Sequence, residues 1–107
     1  MAEVKTLPKR LVDLNPRWAS GAFDGVERRG IALNFDCPCQ DEACAWGGVI
    51  SVWIANPIDG LPSPPQGAPR TLWSRTGDSF ETLSLDPSIH AVGHWHGWLT
   101  NGMLVSV

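Results

Sequence analysis

The sequence predicts a mainly β, small single domain of five to seven short strands, held by a cysteine-rich knot and closed by a C-terminal β-hairpin. Three observations carry this expectation. Short runs either alternate apolar with polar residues or are rich in β-branched and aromatic side chains. Glycine, proline and Asn-Gly punctuate them at close intervals. No stretch sustains three turns of an amphipathic helix. A chain of 107 residues has room for one hydrophobic core and no second one.

Residues 1–28 read as an irregular lead-in that packs over a sheet. Pro8, Pro16, Gly21 and Gly25 break any periodicity, and Leu11, Val12 and Leu14 suit a short strand or a single helical turn. From Arg29 the pattern changes: Ile31, Leu33 and Phe35 alternate onto one face and predict a strand that runs into a Cys-Pro-Cys turn. Gly47-Gly48 then releases Val49–Ile54, a second strand. Residues 56–70 carry Pro57, Pro62, Pro64, Pro65 and Pro69, which no helix or central strand tolerates, so they predict a proline-rich surface loop. Strands are expected again at 71–75 and 80–85. Asn101-Gly102, set between two apolar-rich runs, is a strong signal for a tight hairpin, because both turn positions require a positive φ.

A formal charge of −3 with scattered basic pairs, Lys9-Arg10 and Arg28-Arg29, gives no basic surface for nucleic acid or for an anionic membrane. The N-terminal stretch has no uninterrupted apolar segment of signal-peptide type, and no run reaches the length of a membrane span. An odd cysteine count without an export signal points to a reducing, cytoplasmic setting. Six tryptophans without a tyrosine predict that most of Trp18, Trp46, Trp53, Trp73, Trp95 and Trp98 belong to the core, since burial of their large area is the usual reason for them.

The chemistry concentrates in five side chains. Cys37, Cys39 and Cys44 lie within one short segment, and His94 and His96 form an H-x-H pair some fifty residues later. Three thiolates and one imidazole are a recurrent set for structural zinc. Packing is the competing reading for the cysteines, but polar Gln40, Asp41 and Glu42 between them disfavour it. Alternation along an extended strand puts His94 and His96 on one face with Trp95 opposite, and four ligands complete a tetrahedron, so one of the two is expected to bind. His90 reads as a loop residue.

Catalytic signatures are weaker. H-E-x-x-H is absent, the Pro38-Cys39 spacing is wrong for a zinc deaminase, and neither a phosphate-cradling glycine loop nor a Ser-His-Asp pattern appears. A Cys3His shell is closed and electron-rich, which makes a poor Lewis acid. Were two cysteines and both histidines the ligands instead, one position would stay open to water, with Glu42 or Asp41 as general base; an open zinc between Cys37, Cys39 and His96 would likewise make the chain a small metal-dependent hydrolase. A redox pair of Cys37 and Cys39 ranks last, since one intervening residue strains the bridge.

The segments F-D-C-P-C (35–39), T-L-S-L-D-P-S-I (82–89) and W-H-G-W-L-T-N-G-M-L (95–104) together resemble an uncharacterised family of small phage and bacterial proteins. That family's pattern is a C-P-C-G-C-G knot, a PSI segment and a terminal S-H-x-W-I-x-N-G hairpin. The resemblance implies a zinc-binding β protein, with Cys37 and Cys39 as the first ligands and His96 as the family histidine. It departs at Cys44, displaced by an insertion, and at Gly93, where the family carries a cysteine that His94 is placed to replace. The expected function is that of a zinc-stabilised, phage-type module acting by protein binding without catalysis. The small hydrolase is the alternative, and open strand edges leave a homo-oligomer open as well.

Overall fold

The computed structural model describes residues 7–23, 25–40, 43–44, 47–61 and 71–107. It is a mainly β domain, as the residue patterns predict, with more strands than expected. Among the described residues these are β1 (Lys9–Arg10), β2 (Arg17–Phe23), β3 (Val26–Asp36), β4 (Val49–Trp53), β5 (Ser74–Thr76), β6 (Ser84–Asp86), β7 (Ile89–Ala91), β8 (Trp95–Thr100) and β9 (Met103–Ser106). Leu11–Leu14 form one turn of 3-10 helix that buries Leu11 and Leu14, the helical alternative for that segment.

All neighbouring strands pair antiparallel in three sheets, ordered β1-β9-β8-β7, β2-β3-β4 and β5-β6. Alternation places the core. On β4, Ile50 and Val52 point inward while Val49 and Ser51 face out, and on β8 Trp95, Gly97 and Leu99 alternate inward against the other side. The inward residues of β3, β4, β7, β8 and β9 meet Leu11, Leu14, Leu83 and Leu85 in one hydrophobic cluster.

The irregular lead-in is corrected: residues 17–28 belong largely to a hairpin of β2 with the start of β3. Its signal is hidden by a bulge, because pairing shifts between Ala19 and Ser20 and so breaks the two-residue period that marks a strand. Gly30 occupies the bulge at φ +65°, and a Cβ there would lie 2.4 Å from Ile58 Cβ. The loop at 57–61 is thereby seated on β3: Ile58 N–H donates to Gly30 O at 3.3 Å, and Asp59 accepts from Arg28 Nε at 2.7 Å, from Arg29 N–H at 3.2 Å and from Leu61 N–H at 3.0 Å. The rest of the proline-rich segment, 62–70, lies outside the described residues. The strand expected at 80–85 is confined to β6, since residues 79–82 close a turn in which Thr82 N–H donates to Ser79 O. Asn101-Gly102 forms the two-residue hairpin turn at φ 48° and 79°.

Of the five described tryptophans only Trp95 is wholly buried, so the expectation of a mainly core role is corrected. Trp18 and Trp73 pack half-buried on the margins of the core, Trp53 is half-buried on the outer face of β4, and Trp98 is exposed. Trp18 stacks on Phe80 at 5.6 Å, which shows the reason: with sheets this short, large rings close gaps between layers instead of filling one. Trp46 lies outside the described residues.

Two tests follow from this architecture. Gly30→Ala combines a disfavoured φ with a clash on Ile58, and a loss of about 1–3 kcal/mol in urea denaturation is expected. The guanidinium of Arg28, with the Leu61 and Arg29 amides, holds the Asp59 carboxyl well below the usual carboxylate range. A depressed folded-state value contributes stability above the unfolded value of about 3.9 and loses it as pH falls through the folded one. The stability gap between wild type and Asp59→Asn, followed by thermal melting, should therefore narrow as pH drops below about 4.

Candidate metal centre

The connection between β3 and β4 is built to bring sulfur to one point. Cys37 continues the β3–β4 ladder by one step, donating its N–H to Gly48 O at 2.8 Å. Pro38 is buried behind it, and the chain then turns back as Gln40 N–H donates to Cys37 O, with Gln40 itself at φ 52°. Gly47 N–H closes a second turn on Cys44 O. Gly47 and Gly48, at φ +74° and +86°, supply the left-handed conformation that returns the chain to β4. Three cysteines are thereby carried on one folded hairpin loop.

The fourth side chain comes from the other sheet. His94 sits in the turn from β7 to β8, held by its N–H to Ala91 O at 2.8 Å, and is buried. Its Nε2 lies 3.2 Å from Cys37 Sγ and 3.6 Å from Cys44 Sγ. The ligand atoms of Cys37, Cys39, Cys44 and His94 all fall within 4.8 Å of one another. A tetrahedral ion with metal–sulfur bonds of about 2.3 Å and metal–nitrogen bonds of about 2.0 Å needs ligand atoms roughly 3.5–3.8 Å apart. The cluster has the spacing and donor set of a site able to bind a metal.

Its surroundings favour an anionic sulfur once an ion is bound. The Trp95 indole donates to Cys37 Sγ at 3.3 Å, and the Cys39 backbone N–H points to the same atom. Burial opposes ionisation and pushes the bare Cys37 thiol up to about 12, the donors only partly offsetting it. A divalent cation reverses that balance, because a coordinating thiol loses its proton outright. Donors to a ligating sulfur are the outer shell that orients and tunes a metal site.

The structure therefore gathers four of the five sequence-level candidates and leaves one out. His96, which the family resemblance matched to the family histidine, lies elsewhere. Its Nε2 is 2.8 Å from Ser88 Oγ, and its ring stacks on His90 at 4.3 Å across the β7–β8 register. The strand-alternation argument paired His94 with His96, but β8 begins only at Trp95. His94 is a turn residue, so it and Trp95 both reach the cysteines. His90, expected in a loop, is the central residue of β7. The ligand set for an open site, Cys37, Cys39 and His96, is not brought together, and Asp41 and Glu42 lie outside the described residues. The contribution of Trp95 was not anticipated, although its place beside two histidines after a three-cysteine segment was a usable signal.

The chain matches no family model, no curated protein and no solved structure. No described helix is long and apolar enough to cross a membrane. The geometry of the cluster thus stands without support from relatives.

Trp95→Phe keeps an aromatic ring in the core and removes the indole donor to Cys37. Metal affinity, measured by competition with a chelator, should fall about 10–100-fold, the usual effect of losing an outer-shell partner.

Proposed function

We propose that the chain is a zinc-stabilised β module that acts by binding a protein partner and carries out no reaction of its own. The observation that supports this most is the origin of the four ligands. Three come from the β3–β4 connection and one from the β7–β8 turn, 57 residues from Cys37. Soft thiolates with one imidazole suit Zn²⁺ among common divalent ions. Four protein ligands leave no position for a substrate or an activated water, the arrangement of a structural site.

The energetic role follows from size. Structural zinc contributes an apparent binding free energy of about 10–16 kcal/mol in small zinc-finger peptides, against about 5–15 kcal/mol for the whole stability of a typical domain. On this reading the ion is a condition of folding. A rigid scaffold without a reaction centre leaves recognition as its use, and exposed Trp98 on β8 is one candidate contact. The motif resemblance supports a phage or bacterial setting, and cysteines outside any disulfide suit the cytoplasm. A homo-oligomer remains compatible with the same scaffold.

The test is elemental analysis of the untagged protein together with thermal melting before and after chelation. One zinc per chain and collapse on chelation are expected. His94→Ala and Cys37→Ser should lose both metal and native fold, whereas His96→Ala should keep both. A metal-free protein with an unchanged melt would overturn the proposal.

A further inference from the structure

Two sheets end at the same place. β4 is the outer strand of the β2-β3-β4 sheet, and β7 is the outer strand of the β1-β9-β8-β7 sheet. Between them runs a groove of about 560 Å³, lined along β4 by residues 49–52, along β7 by residues 89–91, and closed by Trp73 and Pro87. This volume lies within the ordinary range of ligand pockets, about 300–1,000 Å³. None of the lining residues is Lys, Arg, Asp or Glu.

The edge of β4 has a definite hydrogen-bonding polarity. Cys37 N–H donates to Gly48 O and Ile54 N–H donates to Ile31 O, so the even-numbered residues of β4 direct their backbone groups toward β3. By antiparallel alternation, the N–H and C=O groups of Val49 and Ser51 point away from β3, toward the groove. No described residue pairs with them. The next step along the same edge is already used as a strand seat. Trp73 N–H donates to Trp53 O at 2.9 Å, and Ala55 N–H donates to Trp73 O at 2.8 Å, forming a parallel bridge opposite Ile54. This edge therefore accepts a strand one residue beyond the point where the groove begins.

We propose that this groove takes an extended, uncharged segment of a partner protein, which adds as a strand to β4 beside Val49 and Ser51. The reading rests on the protein-binding function proposed above and names its mode. Four backbone groups give the segment its anchor, while side chains on one of its faces meet the small apolar surface that Ile50 and Ile89, both nearly buried in the core, leave along the groove. Alternate residues of the segment are thus apolar, the pattern of peptide recognition by strand addition. A lone segment suits the site better than the edge of a second copy. A sheet edge brings its own neighbouring strand, and β7 walls the side where that strand would lie.

The test uses the full-length, metal-loaded protein and a capped seven-residue peptide of alternating Thr and Val, followed by NMR of the backbone amides. Saturable shifts at the Val49 and Ser51 amides are expected. Ser51→Pro removes an outward donor without touching the ladder to β3, and should weaken binding about tenfold or more, the worth of roughly one hydrogen bond. Ser51→Ala should bind like wild type, and both variants should keep the wild-type metal content and melting temperature. If Ser51→Pro does not fold, the same peptide N-methylated at alternate residues decides the matter on unaltered protein, and it should bind at least about tenfold more weakly. Equal binding of that peptide, shifts confined to other residues, or a concentration-dependent dimer formed through β4 would each overturn the proposal. Failure here with metal and melt intact would leave the zinc-module reading standing, so the two fail separately.

Discussion

The approach of Cys37 to His94 is the contact on which the arrangement of the sheets depends. Cys37 is the last rung of the β3–β4 ladder, and His94 is held in the turn that opens β8. Joining them at 3.2 Å adds a buried polar tie to the core that the two sheets share. Trp95 follows directly, giving its indole N–H to the same sulfur while its ring packs near Phe35 at 6.4 Å. The polar and apolar parts of the junction are thus made by neighbouring residues. Without an ion the junction is costly, because burial raises the thiol and leaves little charge to bind the imidazole. With one, burial becomes an advantage, since water is kept from competing for the ligands.

A second fastening operates at the far end of β3 by different means. Arg28 and Asp59 are each about nine-tenths shielded from solvent and meet in a two-point contact of 2.7 and 3.2 Å. Two backbone amides complete the carboxylate. A nearly buried pair of this kind is weak evidence of net stability, but its directional bonds set register. It places the 57–61 turn against the bulge at Gly30, where only a missing side chain allows Ile58 to approach. β3 is therefore fixed at one end by sulfur chemistry and at the other by a satisfied ion pair.

The two halves of this design were unequally legible in the residues. The strands at 31–36 and 49–53 and the Asn101-Gly102 hairpin follow from periodicity and turn chemistry, which are local. The three cysteines announce themselves by clustering. The β2–β3 hairpin does not, because its bulge falls where the alternation would have to continue. The choice between His94 and His96 was out of reach of spacing alone, since it turns on whether the strand begins at residue 94 or 95. Such boundaries are set by the hydrogen bond from His94 to Ala91, a tertiary detail. The Arg28–Asp59 pair joins residues 31 apart in sequence, and no local pattern signals it.

An open sheet edge is a template for pairing with another chain, and this chain treats its edges differently. β1 is two residues long and consists of Lys9 and Arg10, a blunt and charged edge that discourages pairing. β4 runs Val-Ile-Ser-Val-Trp over five residues with no charge, no proline and no bulge recorded in its pairing with β3. Such an edge invites strand pairing unless something restricts access. Here the restriction is architectural: β7, Pro87 and Trp73 stand across the groove from it. That placement is tied to the Cys37–His94 contact, because His94 closes the turn that follows β7 and Cys37 extends the strand that pairs with β4. The Cys37–His94 contact and the core shared by the two sheets therefore together hold apart the edges that line the groove.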